Sequence, residues 1–355
     1  MTMASSVVGG TWIPVNSRPY SSNKVPRVKC PEHGVKSVEV PGAEKHRRFT
    51  MAFERFAIDT ILATQTVQGS MGLLSLKWDQ TWNIVQRAVR RGKARKQAGP
   101  LPRVGIDEKA FKKGHRYITM IYDLDNSTVE AISEGNDADA AKACFCQLTA
   151  EQIASIEAIA MDMSAAYVKA TKETVPLAEE KIVHDRFHVM QLASKALDKI
   201  RRGERKQLLS EGDDRLTKTR YLWLKSQENL TKNQRELFEE VYQSQLETGK
   251  AWAFQELLRD LWNHETAAEA TVYFKDWYRR VIHTKLDPMK TVARTIKERL
   301  SNVVSYCTHR ITNAVAEGMN RKIMSIKRRV GGFRNIENFK TAIFFYCGGL
   351  DLDPR

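Results

Sequence analysis

At Val104 the spacing of apolar residues changes from helical to alternating, and this change constrains the fold more than any other feature of the chain. Upstream, "FERFAIDTILATQ" and "KWDQTWNIVQRAVRRGKARKQ" set apolar residues three and four apart, as a helix buried on one side requires. Downstream, "RVGID", "YITMIYDLD" and "TVEAISEG" read as three strands joined by turns containing Gly114 or Asn126. "DADAAKACFCQL" then predicts a helix with an Asp cap, and "IEAIAM" a buried strand ending at Asp162. "SAAYVKATKETVP" is a helix stopped by Pro176, and "EKIVHDRFHV" a further strand. The order β-β-β-α-β-α-β predicts a mixed sheet covered by helices, antiparallel at first and parallel later.

The flanks are different. Residues 1–24 are rich in Ser, Gly and Pro without a period and read as a disordered or extraneous leader. Between 51 and 99, Phe53, Phe56, Ile61, Leu73, Leu74, Trp82, Val85 and Val89 can close a small three-helix core. Its last helix would present Lys77, Arg87, Arg90 and Arg91, either as a helix-turn-helix entering a major groove or as a solvated basic face. Pro100 and Pro102 mark a linker to the strands, which open a segment assigned to 100–195. Residues 196–300 carry almost no strand signal and are read as a separate helical unit. Its Trp223, Trp252, Trp262 and Trp277 suit either core packing or stacking on unpaired bases. The final segment, 301–355, holds a last long helix, roughly 308 to 330, ended by a basic run and Gly331–Gly332. The chain is thus α/β with large all-α portions.

Charge narrows the partners. The 355 residues include 57 Lys and Arg against 42 Asp and Glu, a net +15. Nine of those charges lie within residues 24–100. Such a balance favours anionic partners, nucleic acid first and anionic membrane second. No apolar run approaches the roughly 18 residues of a membrane span. The five cysteines are odd in number and scattered, which argues against a disulfide framework and for a reducing cytosol.

Three acids stand out against this basic background: Asp107 after the first strand, Asp162 after the fourth, and Glu317 on the late helix. Adjacent strand ends lie close enough for carboxylates distant in sequence to share a divalent ion, and oxygen ligands suit Mg²⁺ or Mn²⁺. Two such ions, roughly 3.5–4 Å apart, perform in-line phosphoryl transfer. Each acid also has a plainer reading. Asp107 can begin a turn with Glu108, Asp162 can cap the next helix, and Glu317 can pair with Arg321 four residues on. On the late helix Ile311, Val315, Met319, Ile323, Ile326 and Val330 form an apolar stripe. Glu317 lies nearly opposite, beside Asn313, Asn320, Arg321 and Arg328.

With "VPRVKCPEHGV", "GIDEKAFKKGHRYITMIYDLD", "MDMSAAYVKA", "IVHDRFHVMQLASKALDKIRRGE" and "AEGMNRKIMSIKRRVGGFRNIENFKTAI", the chain resembles bacterial insertion-sequence transposases of the DDE class, in the ISL-three family. The likeness runs from about Val25 to Phe345. It implies an RNase H-like catalytic fold, interrupted by a helical insertion in the 155 residues between Asp162 and Glu317. It implies that Asp107, Asp162 and Glu317 are the metal-binding triad. Asp185 and His188 resemble a D-x-x-H motif of related transposases and, with Asn320, would support the site. Lys112, Lys113, Arg321, Lys327, Arg328 and Arg329 become candidates for holding phosphates beside it.

Residues 25–50 would be the remnant of a zinc finger. "CPEHG" supplies only Cys30 and His33, half of a closed tetrahedral site, so no structural zinc is expected. The implied protein binds terminal inverted repeats, cuts the element ends and joins the freed 3′-hydroxyl to target DNA. It would act as a dimer or higher oligomer in the bacterial cytoplasm, associated with the nucleoid. Two rivals remain at this point: a DNA-binding relic or repressor without catalysis, and a structure-selective nuclease of the same fold.

Overall fold

The computed structural model describes residues 27–32, 34–37, 49–112, 114, 116–225, 229–242 and 246–355. The leader, His33, Lys113 and the side chain of Cys30 lie outside the described residues. Strands β1 (Arg27–Cys30) and β2 (Gly34–Ser37) pair antiparallel, with Cys30 opposite Gly34.

Helices α1 (Met51–Thr64), α2 (Val67–Leu74) and α3 (Trp78–Arg95) follow. Thr50 and Thr66 cap the first two, each accepting from a backbone N–H three residues on. Gln65 and Ser75, both at positive φ, end them. Ile58, Ile61, Leu74, Trp82, Val85 and Val89 are buried as the spacing requires. Phe56 (48% exposed) and Leu73 (64%) are not, because Ala57, Ile58 and Ile61 occupy the inner stripe of α1 and Leu74 that of α2.

The second departure concerns charge. Glu54 is buried, and its carboxylate accepts from Arg87 (2.8 Å) and Arg91 (3.1 Å). Arg91 also donates to the Leu352 carbonyl at 2.7 Å. These two arginines, expected on an outer basic face, are turned inward to neutralise a buried acid.

The central sheet comprises β3 (Arg103–Lys112), β4 (Arg116–Asp123), β5 (Thr128–Glu134), β6 (Ala158–Met161) and β7 (Ile182–His184), in the spatial order β5-β4-β3-β6-β7. The first three pair antiparallel, while β6 joins β3, and β7 joins β6, in parallel. Between the strands lie α4 (Ala138–Phe145), α5 (Ala150–Ser155), α6 (Ala165–Thr174) and α7 (Ala178–Lys181). Asp137 caps α4 as expected.

Two strand limits differ from the sequence expectation. β3 does not stop at Asp107 but continues to Lys112, because its hairpin with β4 extends to the Lys112–Arg116 pair. β7 is only three residues long; "RFHV" is the first turn of the next helix, capped by Asp185.

That helix, α8 (Arg186–Ser210), opens an all-helical stretch: α9 (Arg220–Leu224), α10 (Lys232–Tyr242), α11 (Glu247–Arg259), α12 (Ala267–Ile282), α13 (Asp287–Glu298), α14 (Leu300–Val304) and α15 (Tyr306–His309). Trp223, Trp252, Trp262 and Trp277 are all buried in its own apolar core, so stacking on bases is overturned and the packing alternative stands. The late helix does not start near 308. Arg310, at φ 54°, ends α15, and α16 spans Ala314–Arg329. α17 (Ile336–Cys347) completes the chain's helices.

The sheet is covered on both faces. Val104, Ile106, Ile121 and Ile159 pack with α4 and α6 on one side. Met120, Tyr122 and Phe111 pack on the other with α16, α17 and the three N-terminal helices, which therefore share a core with the sheet. Among the described residues, no helix is long and apolar enough to cross a membrane.

Candidate active site

Strand register gathers the acids. Arg103, Val104 and Gly105 pair in parallel with Ala158, Ile159 and Ala160, an offset that brings Asp107 level with Asp162. Met161 pairs with His184, which brings Asp162 level with Asp185. Neighbouring strands run about 4.8 Å apart, so three aspartates stand in a row across β3, β6 and β7. Parity along each strand sends all three to one face: Val183 and Ala160 pack with Ile311 on that side, and Ile106 and Ile159 on the other. The row lies where parallel pairing with β3 ends, not where β3 itself ends.

The pleat also explains why two acids follow one another. Glu108 points to the opposite face, where the Tyr167 hydroxyl donates to it at 2.8 Å. Asp107 points toward α16. Its Oδ1 accepts the Glu108 N–H at 2.8 Å and its Oδ2 accepts from Asn320 Nδ2 at 2.5 Å. Burial pushes the Asp107 carboxyl up to about 6, aided by the Glu108 charge and opposed by Lys109, the Glu108 N–H and His188.

Asp162 lies two residues before the cap position of α6. Its Oδ1 accepts the Ser164 N–H at 2.8 Å, so it shapes the turn into the helix rather than capping it. Its carbonyl accepts from Nδ1 of His184 at 3.0 Å. Burial holds that imidazole down to about 4, so it is neutral at physiological pH.

Glu317 sits in the first turn of α16 and faces the same end of the sheet. One ligand atom from each of Asp185, His188 and Glu317 lies within 4.8 Å of the other two. Glu317 thus meets the Asp185–His188 pair directly and reaches the Asp107 side through Asn320, one turn along the same helix. No ion pair joins Glu317 to Arg321 among the described residues. Close approach of α16 to β3 depends on Gly105: a Cβ there would come within 2.9 Å of Asn313 Oδ1 and 3.4 Å of the Ala316 methyl.

Among the described residues, the donor atoms close enough to share one ion are those of Asp185, His188 and Glu317, two carboxylates and an imidazole that suit a hard or borderline divalent cation; Asp107 and Asp162 of the expected triad lie outside that group. The raised Asp107 carboxyl fits such an occupant, because a partly buried acid beside a second acid is costly without a facing cation.

The family model for DDE transposases of the ISL3 type, described as a transposase, matches residues 104–343. The chain belongs to this family. It is 28% identical over 286 residues to the transposase for insertion sequence element IS1001 of Bordetella parapertussis, covering 80% of this chain and 70% of that protein. It is 26% identical over 341 residues to the transposase for IS1557 of Mycobacterium tuberculosis, covering 88% and 75%.

On α16 of this transposase, Arg321, Arg328 and Arg329 are exposed, the last two in its final turn. Lys327 and Lys112 are half-buried, their ammoniums held by the carbonyls of Ala110 (2.8 Å) and Arg334 (2.7 Å). On the N-terminal helices Lys77 and Arg90 are exposed. Sequence reasoning missed Tyr122, whose hydroxyl donates to Asn320 Oδ1 at 2.8 Å. It also missed Tyr167. Period-2 alternation in "YITMIYDLD" was the available signal for Tyr122, since it places that ring on the Met120 face.

Proposed function

We propose that the transposase cuts the ends of its insertion element and joins them to target DNA, using Asp107, Asp162 and Glu317 as ligands for divalent cations. The in-register row of Asp107, Asp162 and Asp185, with the Glu317 helix fastened across it, carries this reading. The spatial order of the five strands supports an RNase H-like catalytic fold, with residues 196–300 as its helical insertion. Helices α1 to α3 would form the helix-turn-helix that engages the terminal inverted repeats, with Lys77 and Arg90 among its phosphate contacts.

When bound, Mg²⁺ or Mn²⁺ lowers the pKa of an attacking water or 3′-hydroxyl and neutralises charge on the leaving oxygen. The protein's part is to present carboxylate oxygens at one end of the sheet. Asp185 and His188 extend the donor set beside Glu317. Arg321, Arg328 and Arg329 hold DNA phosphates along α16. Strand transfer by direct attack of the 3′-hydroxyl on a target phosphate needs no covalent enzyme intermediate. Synapsis of two element ends calls for a dimer or higher oligomer, working on DNA in the cytoplasm.

Asp107→Asn tests this. Cleavage of element-end DNA in Mg²⁺ or Mn²⁺ is expected to fall by roughly 10³-fold, the loss of several kcal/mol of transition-state stabilisation. Binding to the same DNA without metal should persist. An unchanged cleavage rate would remove Asp107 from the chemistry. A parent protein that binds ends without cutting them would be a repressor, and one that cuts but cannot join pre-cut ends would be a nuclease.

A further inference from the structure

We propose that Asn320 is a positioning residue: its amide ties the helix carrying Glu317 to the strand carrying Asp107 and fixes the plane in which Asp107 presents its oxygens. The proposal rests on the assignment of Asp107 as a metal ligand.

Asn320 is buried, although α16 bears arginines and lysines on its other faces. Its two polar atoms have different partners. Nδ2 donates to Asp107 Oδ2, and Oδ1 accepts from the Tyr122 hydroxyl. Tyr122 settles which way round the amide sits. Burial, followed by the Asp107 charge, pushes that phenol well above its ordinary range, so it stays an O–H donor. A donor facing one end of the amide requires the oxygen there, which leaves the NH₂ for Asp107. Among the described residues, the phenol's other neighbouring acceptor is the thioether of Met120, 3.4 Å away and much weaker.

Asp107 consequently has one donor on each oxygen, the Glu108 N–H on Oδ1 and the Asn320 amide on Oδ2. Two donors define the carboxylate plane, yet each oxygen keeps lone-pair capacity for a cation. The donor's neutrality matters. A lysine or arginine in this position would hold the carboxylate equally well but compete with the incoming ion for its charge. Neutral hydrogen bonds to ligating carboxylates orient them without that competition.

The geometry also couples the two halves of the site. Asn320 follows Glu317 by three residues and so lies about one turn further along the same helix face. Clamping Asn320 onto Asp107 therefore sets where Glu317 falls relative to Asp185 and His188. Gly105, two residues before Asp107 on the same face of β3, lets Asn313 and Ala316 settle onto the strand. The helix is held at two points, and Glu317 lies between them.

The test measures Mn²⁺ binding to the full chain by isothermal titration calorimetry and electron paramagnetic resonance, without DNA turnover. Asn320→Ala should weaken Mn²⁺ binding by about tenfold or more, the range known for residues that orient metal ligands. Tyr122→Phe keeps the ring's shape, frees the amide to turn over, and should weaken binding by a few-fold. The double variant should be no weaker than Asn320→Ala alone, because the phenol acts through the amide. End-DNA binding in the absence of metal should be unchanged in all three.

Mn²⁺ affinity unchanged in a folded Asn320→Ala overturns the proposal, as does strict additivity in the double variant. Should Asn320→Ala fold poorly, Tyr122→Phe and Asn320→Gln decide, since only restoration of the amide contact can rescue a positioning role. Asp107→Asn separates the two levels. If it binds Mn²⁺ as the parent does, the ligand assignment falls and the positioning role with it. If it loses Mn²⁺ while Asn320→Ala does not, only the positioning role is lost.

Discussion

Helices α3 and α16 look alike in sequence and are used in opposite ways. Each is amphipathic, each carries five Lys or Arg, and each has a single acid in its first turn. On α3 four of the five cations are held against protein groups, and the fifth, Arg90, is exposed. Arg87 and Arg91 neutralise Glu54 of the neighbouring helix, Arg95 donates to the Asp353 carbonyl, and Lys93 lies 3.3 Å over the Phe344 ring. On α16 the acid and the amide are turned inward, and Arg321, Arg328 and Arg329 remain exposed. What differs is the surface each helix meets. α3 packs against a buried carboxylate, which draws guanidiniums in. α16 packs against the aspartate row, where an amide serves and the basic residues are left facing solvent. A basic helix therefore does not announce a DNA-binding face; the charge of what it packs on decides that.

The sharpest way to break this comparison is to neutralise the inward acid of α16. Glu317→Gln should lower metal-dependent cleavage of element ends by roughly 10³-fold, since a metal-bound carboxylate contributes several kcal/mol to the transition state. Its melting temperature should hold or rise slightly, because the acid sits beside Asp185 and no ion pair joins it among the described residues. Normal cleavage together with a large fall in melting temperature would make Glu317 a structural residue and erase the contrast.

The matching change on the other side is Glu54→Gln, which removes the acid that α3 packs against. Breaking a buried ion pair from one side costs about 3 kcal/mol, because the partner charges are left without compensation. Chemical denaturation should show that loss, with cleavage per folded molecule unchanged. A variant as stable as the parent would mean that solvent already reaches Arg87 and Arg91, and would return them to the set available for DNA.

Much of this contrast lies beyond what local pattern can carry. The succession of strands and helices, and the side of the late helix that carries Glu317, follow from alternation and helical spacing, which depend on neighbours within a few residues. The extent of β3 does not. "EKAFKK" looks like a polar turn, and only pairing with β4 holds it extended to Lys112. The inward turn of Arg87 needs Glu54, 33 residues away, and the Asn320–Tyr122 bond spans 198. The helical wheel did put Asn320 on the face of Glu317, so that part of the clamp was visible; its partner was not. The tryptophans of the helical region were ambiguous for the same reason, since burial there depends on how the helices α8 to α15 close around them.

The finest distinction concerns which cations touch DNA. Each phosphate contact releases counterions, so the slope of log affinity against log salt falls by roughly 0.9 for every contact removed from duplex DNA. If Arg328 and Arg329 lie on the backbone, the double Arg328→Ala/Arg329→Ala variant should bind element ends several-fold more weakly, with a slope lower by roughly 2 and an unaltered melting temperature. Arg87→Ala should do the reverse, lowering the melting temperature by leaving Glu54 undercompensated while its salt slope matches the parent's. Titrations at four or five salt concentrations resolve a unit of slope even where the affinities differ little. Two arginines of equal formal charge would then be separated by what each one faces: a carboxylate inside the protein, or a phosphate outside it.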